Sequence, residues 1–451
     1  MAKRVTILGA GESGTGAAML ARSRGEEVFV SDFGVIAEKY KNELLNLSIN
    51  FEQGGHDEHH ILNSELIIKS PGISESAPIM KKIRRAEIPV VSEIEYAAQS
   101  SRAKFIAITG SNGKTTTTLL TWHLLKRLGL NVGLAGNIGD SLARLVIEDK
   151  YDYYVLELSS FQLDDMFDFR ADIAVLLNIT PDHLDRYDYK FENYIHSKFR
   201  IANNMTKDNF FVYNADDKVI IDYLDMVEAT RVPVALSGDH AYGAVVRDDK
   251  LVFSLSTGFE IPVSSLPVKG KHNQINAMAA LTVASLLGRD PEKFEEAMAD
   301  FVNAPHRLEY SGTLYGVEYV NDSKATNVDA VWYALDSCTR PVIWIAGGID
   351  KGNDYSLLLD LVRVKVKALI CLGKDNKPLR DAFDGLVPEI VDADNMEGAL
   401  RLATSYAEEG DMVLLSPACA SFDLFNNYMD RGDQFKMVVK QLIEETNNKS
   451  L

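Results

Sequence analysis

The sequence predicts an α/β protein of three domains, each built on a largely parallel sheet. Three observations lead there. The chain has 451 residues, and at roughly 150 residues per domain that is enough for about three. Short β-branched runs alternate with helical stretches, the pattern of βαβ units. Many of those runs end in small or polar residues, and open α/β sheets bind their ligands just past such carboxyl ends. Hydrophobic content of 46% and charged content of 25% are ordinary for a globular chain, and no repeat or low-complexity tract interrupts the pattern.

Composition also excludes. A net charge of −18 argues against a general nucleic-acid binder, which needs a basic surface to neutralise phosphates. Cys338, Cys371 and Cys419 are odd in number, widely spaced and without a CxxC. They suit a reducing compartment rather than a disulfide framework or a zinc site. The N-terminus turns glycine-rich before a signal-peptide core develops, and no apolar run approaches the ~20 residues that span a bilayer. The expectation is a cytoplasmic monomer with no membrane or nucleic-acid partner.

The first domain is expected over 1–96. Arg4–Leu8 reads as a buried strand, the turn Gly9-Ala-Gly-Glu-Ser-Gly14 follows, and a helix runs to about Arg24. Glu27–Ser31 is a second strand ending at Asp32, and Leu66–Lys69 another ending at Ser70-Pro71-Gly72. Gly9-x-Gly11-x-x-Gly14 with Asp32 matches a Rossmann-like dinucleotide fingerprint. The helix start favours a pyrophosphate without saying whose, since NAD, FAD and a UDP-sugar all carry one. His56-Asp-Glu-His59-His60 lacks strand-end context and ligand spacing, and reads as an exposed polar loop.

The second domain is expected over 97–304. Lys104–Thr109 is a strand running into Gly110-Ser-Asn-Gly-Lys-Thr115 and a long helix. This is a P-loop of ATPase type, although only two residues separate Gly110 from Gly113. Backbone N–H groups would cradle phosphate, Lys114 would reach the terminal phosphates and Thr115 could ligate Mg²⁺. Tyr151–Leu158 and Asp172–Asn178 are further strands, and Gln274–Leu287 is a helix. Glu157, closing the first of those strands, is placed like the carboxylate that holds Mg²⁺ in P-loop enzymes. His183, in the loop Asn178–Arg186, could be a second ligand. Lys198 by itself reads as a solvated helix lysine. Weaker strand signals between about 210 and 265 suggest a small extra sheet.

The third domain is expected over 305–451, after the linker-like Ala304-Pro-His-Arg307. Its strands are Gly316–Val320, Val342–Ala346, Val366–Leu372 and Met412–Ser416. Three polar loops, Asn321–Asn327, Gly347–Lys351 and Ser416–Ser421, follow three of them. Three such loops in one domain point to a site.

Taken in order, TGSNGKTTTT, AGNIG at Ala135–Gly139, LELSSFQL at Leu156–Leu163, NITPDHLDRY at Asn178–Tyr187, HNQINA at His272–Ala277, PHR at Pro305–Arg307 and NDSKATN resemble the Mur ligases. NDSKATN and SPACASFD resemble the D-glutamate-adding member. The Asp-Asn-Pro-Arg signature of the diaminopimelate-adding relative does not occur, nor does the His-rich equivalent of NDSKATN found in the L-alanine-adding one.

The resemblance implies an ATP-dependent amide-forming ligase with UDP-N-acetylmuramoyl-L-alanine and D-glutamate as substrates. It implies that the first domain binds UDP through Glu12, Ser13, Gly14, Asp32 and Phe33, bordered by Ser70, Pro71 and Gly72. Asn137 and His183 would position the rest of that substrate. ATP would be held by Gly110, Ser111, Asn112, Gly113, Lys114, Thr115 and Thr116, with Asn276, Arg307 and Asp322. Two Mg²⁺ ions are implied, with Thr115, Glu157, His183 and a carbamylated Lys198 as ligands. Lys324, Thr326, Lys351, Ser421 and Phe422 would bind D-glutamate, with Tyr428 where the best-known pattern has phenylalanine. The implied route passes through an acyl phosphate, with closure of the third domain over the ATP site. A folylpolyglutamate-type ligase, a UDP-sugar-binding regulator and an oxidoreductase are the competing readings. The N-terminal glycine motif, the filled motif positions and the P-loop weigh against them in turn.

Overall fold

The computed structural model describes residues 2–449. Strands β1 (Arg4–Leu8), β2 (Glu27–Asp32), β3 (Asn50–Gln53), β4 (Leu66–Lys69) and β5 (Val90–Ser92) form a parallel sheet in the order β3-β2-β1-β4-β5. That is the doubly wound order, which opens a crevice at the carboxyl ends of β1 and its neighbours. The helix Glu12–Ser23 packs close beneath the first turn. A Cβ on Gly14 would lie 1.8 Å from the Gly9 carbonyl oxygen, so only glycine fits there.

The second sheet holds β6 (Lys104–Thr109), β7 (Val132–Gly136), β8 (Tyr153–Glu157), β9 (Ile173–Leu176), β10 (Phe210–Asn214), β11 (Thr230–Ala235), β12 (Gly243–Arg247), β13 (Lys250–Ser254) and β14 (Phe259–Pro262). Their order is β14-β13-β12-β11-β10-β9-β6-β8-β7. The segment 210–265 therefore extends the main sheet instead of forming a separate one. Val212 pairs with Val175 in parallel register, which continues the sheet past β9. Only β13 and β14 turn antiparallel. Asp248 and Asp249, with φ of 49° and 56°, make the two-residue hairpin between β12 and β13.

The third sheet runs β15-β16-β20-β17-β18-β19, from β15 (Glu309–Leu314), β16 (Val317–Asn321), β17 (Val342–Ala346), β18 (Val366–Leu372), β19 (Glu389–Ala393) and β20 (Met412–Leu415). Apolar clusters cover both its faces, one around Trp344 and Phe383, the other around Tyr319 and Phe435. The antiparallel edge strand β15 is absent from the sequence reading, because its glycine and polar residues weaken the strand pattern.

The chain divides into two compact units. One holds the chain up to Pro267 with Gln274–Phe301, and so both of the first two sheets; the other holds Val268–Asn273 and the chain from Val302. Within the first unit a shared core joins the two sheets, and buried polar contacts lock them in register. Lys69 and Asp165, each 4% exposed at the side chain, pair at 2.9 Å. The Glu95 carboxylate accepts the backbone N–H groups of Phe167, Asp168 and Phe169. Glu93, also buried, accepts from the Ala143 N–H, and its other oxygen has no partner among the described residues.

Burial lifts the Glu93 carboxyl from its ordinary 4.5 to about 7. The folded protein keeps this proton where the unfolded chain has lost it. That contribution to stability is complete below the unfolded value and disappears as the pH rises toward 7. Glu93→Gln is expected to flatten the fall in thermal stability between about pH 4.5 and 7. An unchanged slope in thermal melts across that range would contradict this.

Candidate active site

In the first unit, β6 runs into the glycine loop and the helix Lys114–Arg127 opens directly from it. Gly113 sits at the helix start with φ of 83°, a left-handed conformation that glycine adopts without strain. A Cβ there would come 2.6 Å from Asn276 Oδ1, so Asn276, buried at the start of the long helix Lys271–Leu286, lies against the loop. The loop is pinned from the other side by the segment after β9. Asn178 accepts from the Asn112 N–H at 2.8 Å and donates to its carbonyl at 3.0 Å. The Ser111 hydroxyl donates to the Thr180 carbonyl and accepts from the Thr180 N–H, both at 2.9 Å. Thr115 and Thr116 are buried in the first helical turn, which explains how a run of poor helix formers begins a helix.

Two lysines meet at this loop. Lys114 Nζ donates to the carbonyls of Gly110 (2.7 Å) and Ser111 (2.8 Å). Lys198 Nζ donates to the same Gly110 oxygen at 2.8 Å and lies 4.8 Å from the centre of the Tyr194 ring. Lys198 is 1% exposed, so the reading of a solvated lysine from spacing alone is corrected. Residues far apart in sequence close over it. Burial, and then the charge of Lys114, hold its amine well below the usual lysine range. Glu157 ends β8 and is 1% exposed. Its Oε1 accepts from Asn137 Nδ2 at 2.8 Å, while Oε2 is buried with no hydrogen-bond partner among the described residues. His183 adopts φ of 52° and sets its ring edge-on to Phe161 at 5.2 Å. Among the described residues no three His, Cys, Asp or Glu side chains cluster as a metal site.

At the first sheet, Asp32 ties the glycine turn to its own loop. It accepts from the Ala10 N–H at 2.7 Å and the Gly34 N–H at 2.8 Å. Phe33 beside it is 74% exposed. Ser13 and Gly14 lie in the first helical turn. Glu12 is turned toward Arg144, at 3.0 Å, and Lys39, at 3.8 Å. Burial raises its carboxyl, but the Arg144 charge and hydrogen bond outweigh that and leave it low. The loop Ser70-Pro71-Gly72 is held by a residue outside the sequence-based set. The Arg186 guanidinium donates to the carbonyls of Pro71, Gly72 and Ile73 and stacks 4.4 Å over Phe161.

In the second unit, the polar loops after β16, β17 and β20 come together. Arg431, 1% exposed, donates to Ser323, Gly347 and Cys419 and so joins one residue from each. Arg431 was also missed; its one signal is a lone arginine in the first turn of the helix Tyr428–Lys449. Asp322 accepts from the Ser416 hydroxyl at 2.9 Å and the Leu308 N–H at 3.2 Å. Burial pushes its carboxyl up to about 7 despite the nearby Arg307. Lys324 Nζ sits 5.7 Å from the centre of the Tyr428 ring. Ser421 is buried, whereas Thr326, Lys351 and Phe422 are exposed.

Comparison with known proteins agrees with this architecture. The MurD-like N-terminal domain of Mur ligases matches residues 3–92, the Mur ligase middle domain 108–284, and the Mur ligase glutamate ligase domain 306–419. The chain is 55% identical over 449 residues to the UDP-N-acetylmuramoylalanine–D-glutamate ligase of Cytophaga hutchinsonii, covering 98% of this chain and 100% of the relative. It is 50% identical over 445 residues to the enzyme of that name from Christiangramia forsetii, again covering 98% and 100%. Two solved structures share the fold. UDP-N-acetylmuramate-alanine ligase MurC from Thermotoga maritima aligns with a TM-score of 0.63 at 17% identity, covering 98% of this chain and 100% of that one. MurF from Acinetobacter baumannii aligns with a TM-score of 0.62 at 16% identity, covering 97% and 93%. The chain belongs to the Mur ligase family.

Gly113→Ala must force a side chain into left-handed backbone, at roughly 1–2 kcal/mol, and drive a methyl into Asn276. ATP affinity is expected to fall by about tenfold or more while the far-UV circular dichroism is retained. Unaltered ATP affinity in a calorimetric titration would contradict the packing of this loop.

Proposed function

We propose that this chain is an ATP-dependent ligase that adds D-glutamate to UDP-N-acetylmuramoyl-L-alanine, acting as a cytoplasmic monomer. The observation that carries the reading is the phosphate loop with a buried Lys198, whose amine is held well below the usual lysine range, together with a buried Glu157 oxygen that has no hydrogen-bond partner among the described residues. The names of the relatives at about 50% identity support the substrates. Among the described residues no helix is long and apolar enough to cross a membrane.

Three functional segments serve the reaction: UDP-substrate binding over 1–96, ATP binding over 97–304 and amino-acid binding over 305–451. Glu12, Ser13, Gly14, Asp32 and Phe33 seat the UDP group, with Ser70, Pro71 and Gly72 at its border and Asn137 and His183 on the remainder. The loop Gly110–Thr116 cradles ATP phosphate, joined by Asn276, Arg307 and Asp322. Lys324, Thr326, Lys351, Ser421, Phe422 and Tyr428 hold D-glutamate.

The residues also suit Mg²⁺. Glu157 has a buried oxygen with no hydrogen-bond partner among the described residues, and the Lys198 amine, held well below the usual lysine range, would become a hard oxygen ligand on taking up CO₂. Thr115, Glu157, His183 and that carbamate would hold two Mg²⁺ ions, which offset the charge of the phosphates. Lys114 neutralises the terminal phosphate as the alanyl carboxylate attacks its phosphorus, the bond to ADP breaks and an acyl phosphate forms. The amine of D-glutamate then attacks the acyl carbon, a proton is lost from the nitrogen, and inorganic phosphate leaves. Exclusion of water during turnover would protect the acyl phosphate from hydrolysis.

ATP-dependent phosphate release with UDP-N-acetylmuramoyl-L-alanine is expected with D-glutamate and not with L-glutamate, L-alanine, L-lysine or diaminopimelate. Lys114→Ala is expected to lower it by at least about a thousandfold, about 4 kcal/mol of transition-state stabilisation. Release with a different amino acid would overturn the substrate assignment. For Lys198→Ala, activity is expected to collapse and to recover partly with millimolar acetate or formate, whose carboxylates replace the carbamate. Recovery with neutral amides instead would overturn the carbamate.

A further inference from the structure

The loop after β17 is tied to the loop after β20 by a set of polar contacts that the proposed reaction leaves unused. Asp350 stands at their centre. Its Oδ1 accepts from the Gly352 and Asn353 N–H groups at 2.7 and 2.8 Å, which folds the backbone around Lys351 into a tight turn. Its Oδ2 accepts from the Tyr355 hydroxyl at 2.7 Å. Tyr355 is 6% exposed and its ring sits edge-on to Phe383 at 5.6 Å, so packing delivers the hydroxyl to a fixed place.

Asn353 crosses to the neighbouring loop. Its Nδ2 donates to the Ala418 carbonyl and to the Tyr355 hydroxyl oxygen, both at 3.2 Å. The same tyrosine oxygen lies 3.4 Å from Cys419 Sγ. Main-chain bonds run alongside. The Ile349 N–H donates to the Ala420 carbonyl at 2.8 Å, and the Ala420 N–H to the Ile349 carbonyl at 3.2 Å. Ala418 has φ of 62°, a left-handed conformation unfavourable for a residue with a Cβ, which persists only where its surroundings hold it.

These two loops carry Lys351, which is exposed, and Ser421, which is buried. A dicarboxylic amino acid presents two carboxylates at a separation set by its carbon chain. Holding both at once requires the backbone under Lys351 to keep a set distance from Ser421. Asp350 supplies that constraint, because one of its oxygens shapes the turn and the other ties the turn to a ring in the core. Resting on the proposed D-glutamate substrate, we infer that Asp350 and Tyr355 are positioning residues for the amino acid. They set the spacing of Lys351 and Ser421 and act on the substrate through those two side chains.

Initial rates of phosphate release by the full chain, with each substrate varied in turn, test this. Tyr355→Phe keeps the ring in the core and removes only the hydroxyl. It is expected to raise the KM for D-glutamate by about tenfold, the scale of one hydrogen bond to a charged group. The kcat and the KM values for ATP and UDP-N-acetylmuramoyl-L-alanine are expected to stay within about twofold. Asp350→Asn, which leaves one oxygen for three donors, is expected to show the same selective rise. The double variant is expected to be about as impaired as Asp350→Asn alone, because the two changes break one shared bond. Multiplying effects in the double variant would overturn the inference and leave the D-glutamate reading standing. So would an unchanged KM for D-glutamate in Tyr355→Phe, or a loss of kcat with all three KM values moving together. Failure of the unaltered protein to release phosphate with D-glutamate would overturn both.

Discussion

One backbone oxygen organises the catalytic unit. The Gly110 carbonyl accepts from both Lys114 and Lys198, so two amines that would each carry a proton in water are held within hydrogen-bond reach of the same atom. Buried like charges this close repel strongly. The conflict bears on Lys198, the more deeply buried of the two, whose amine is held well below the usual lysine range by burial and then by the charge of Lys114. The proposed carbamate turns that vulnerability to use: a neutral amine is the form that reacts with CO₂, and the anion it becomes attracts Lys114 where a second ammonium would repel it. The glycine loop brings Lys114 and the phosphate-binding amides to the same place, and Asn178, Ser111 and Asn276 keep it there.

Positioning elsewhere follows a common pattern. Loops at strand ends carry the proposed site residues, and two arginines, Arg186 half-buried and Arg431 fully buried, hold those loops by their carbonyl groups. Arg186 fastens Pro71–Ile73 to the loop that bears His183, and Arg431 fastens the three strand-end loops of the second unit to one another. A guanidinium has five donors in a rigid fork, which suits it to gathering several carbonyls at once. These arginines are absent from the sequence-based site because their partners are backbone atoms, which leave no trace in side-chain identity.

What the sequence discloses and what it hides divide along the same line. Strands such as Arg4–Leu8, Lys104–Thr109, Val342–Ala346 and Val366–Leu372 fall at the predicted bounds, since continuous apolar runs before glycine are legible locally. The phosphate loop is legible too, as glycine, lysine and threonine occur at fixed offsets. Lys198 is not, because its burial is decided by Tyr194 and by Gly110, 88 residues away. Glu12 shows the converse, a residue in a recognisable motif whose carboxylate is directed by Arg144. The strands of 210–265 carry weak individual patterns, and only pairing with β9 reveals that they extend the central sheet.

The central claim is that the substrate carboxylate becomes an acyl phosphate before the amide forms. It is tested most directly by labelling the alanyl carboxylate of UDP-N-acetylmuramoyl-L-alanine with ¹⁸O and following single turnovers with ATP and D-glutamate by mass spectrometry. The account predicts that one labelled oxygen leaves with the phosphate. Phosphate released without label, while the amide forms at the same rate, would contradict it.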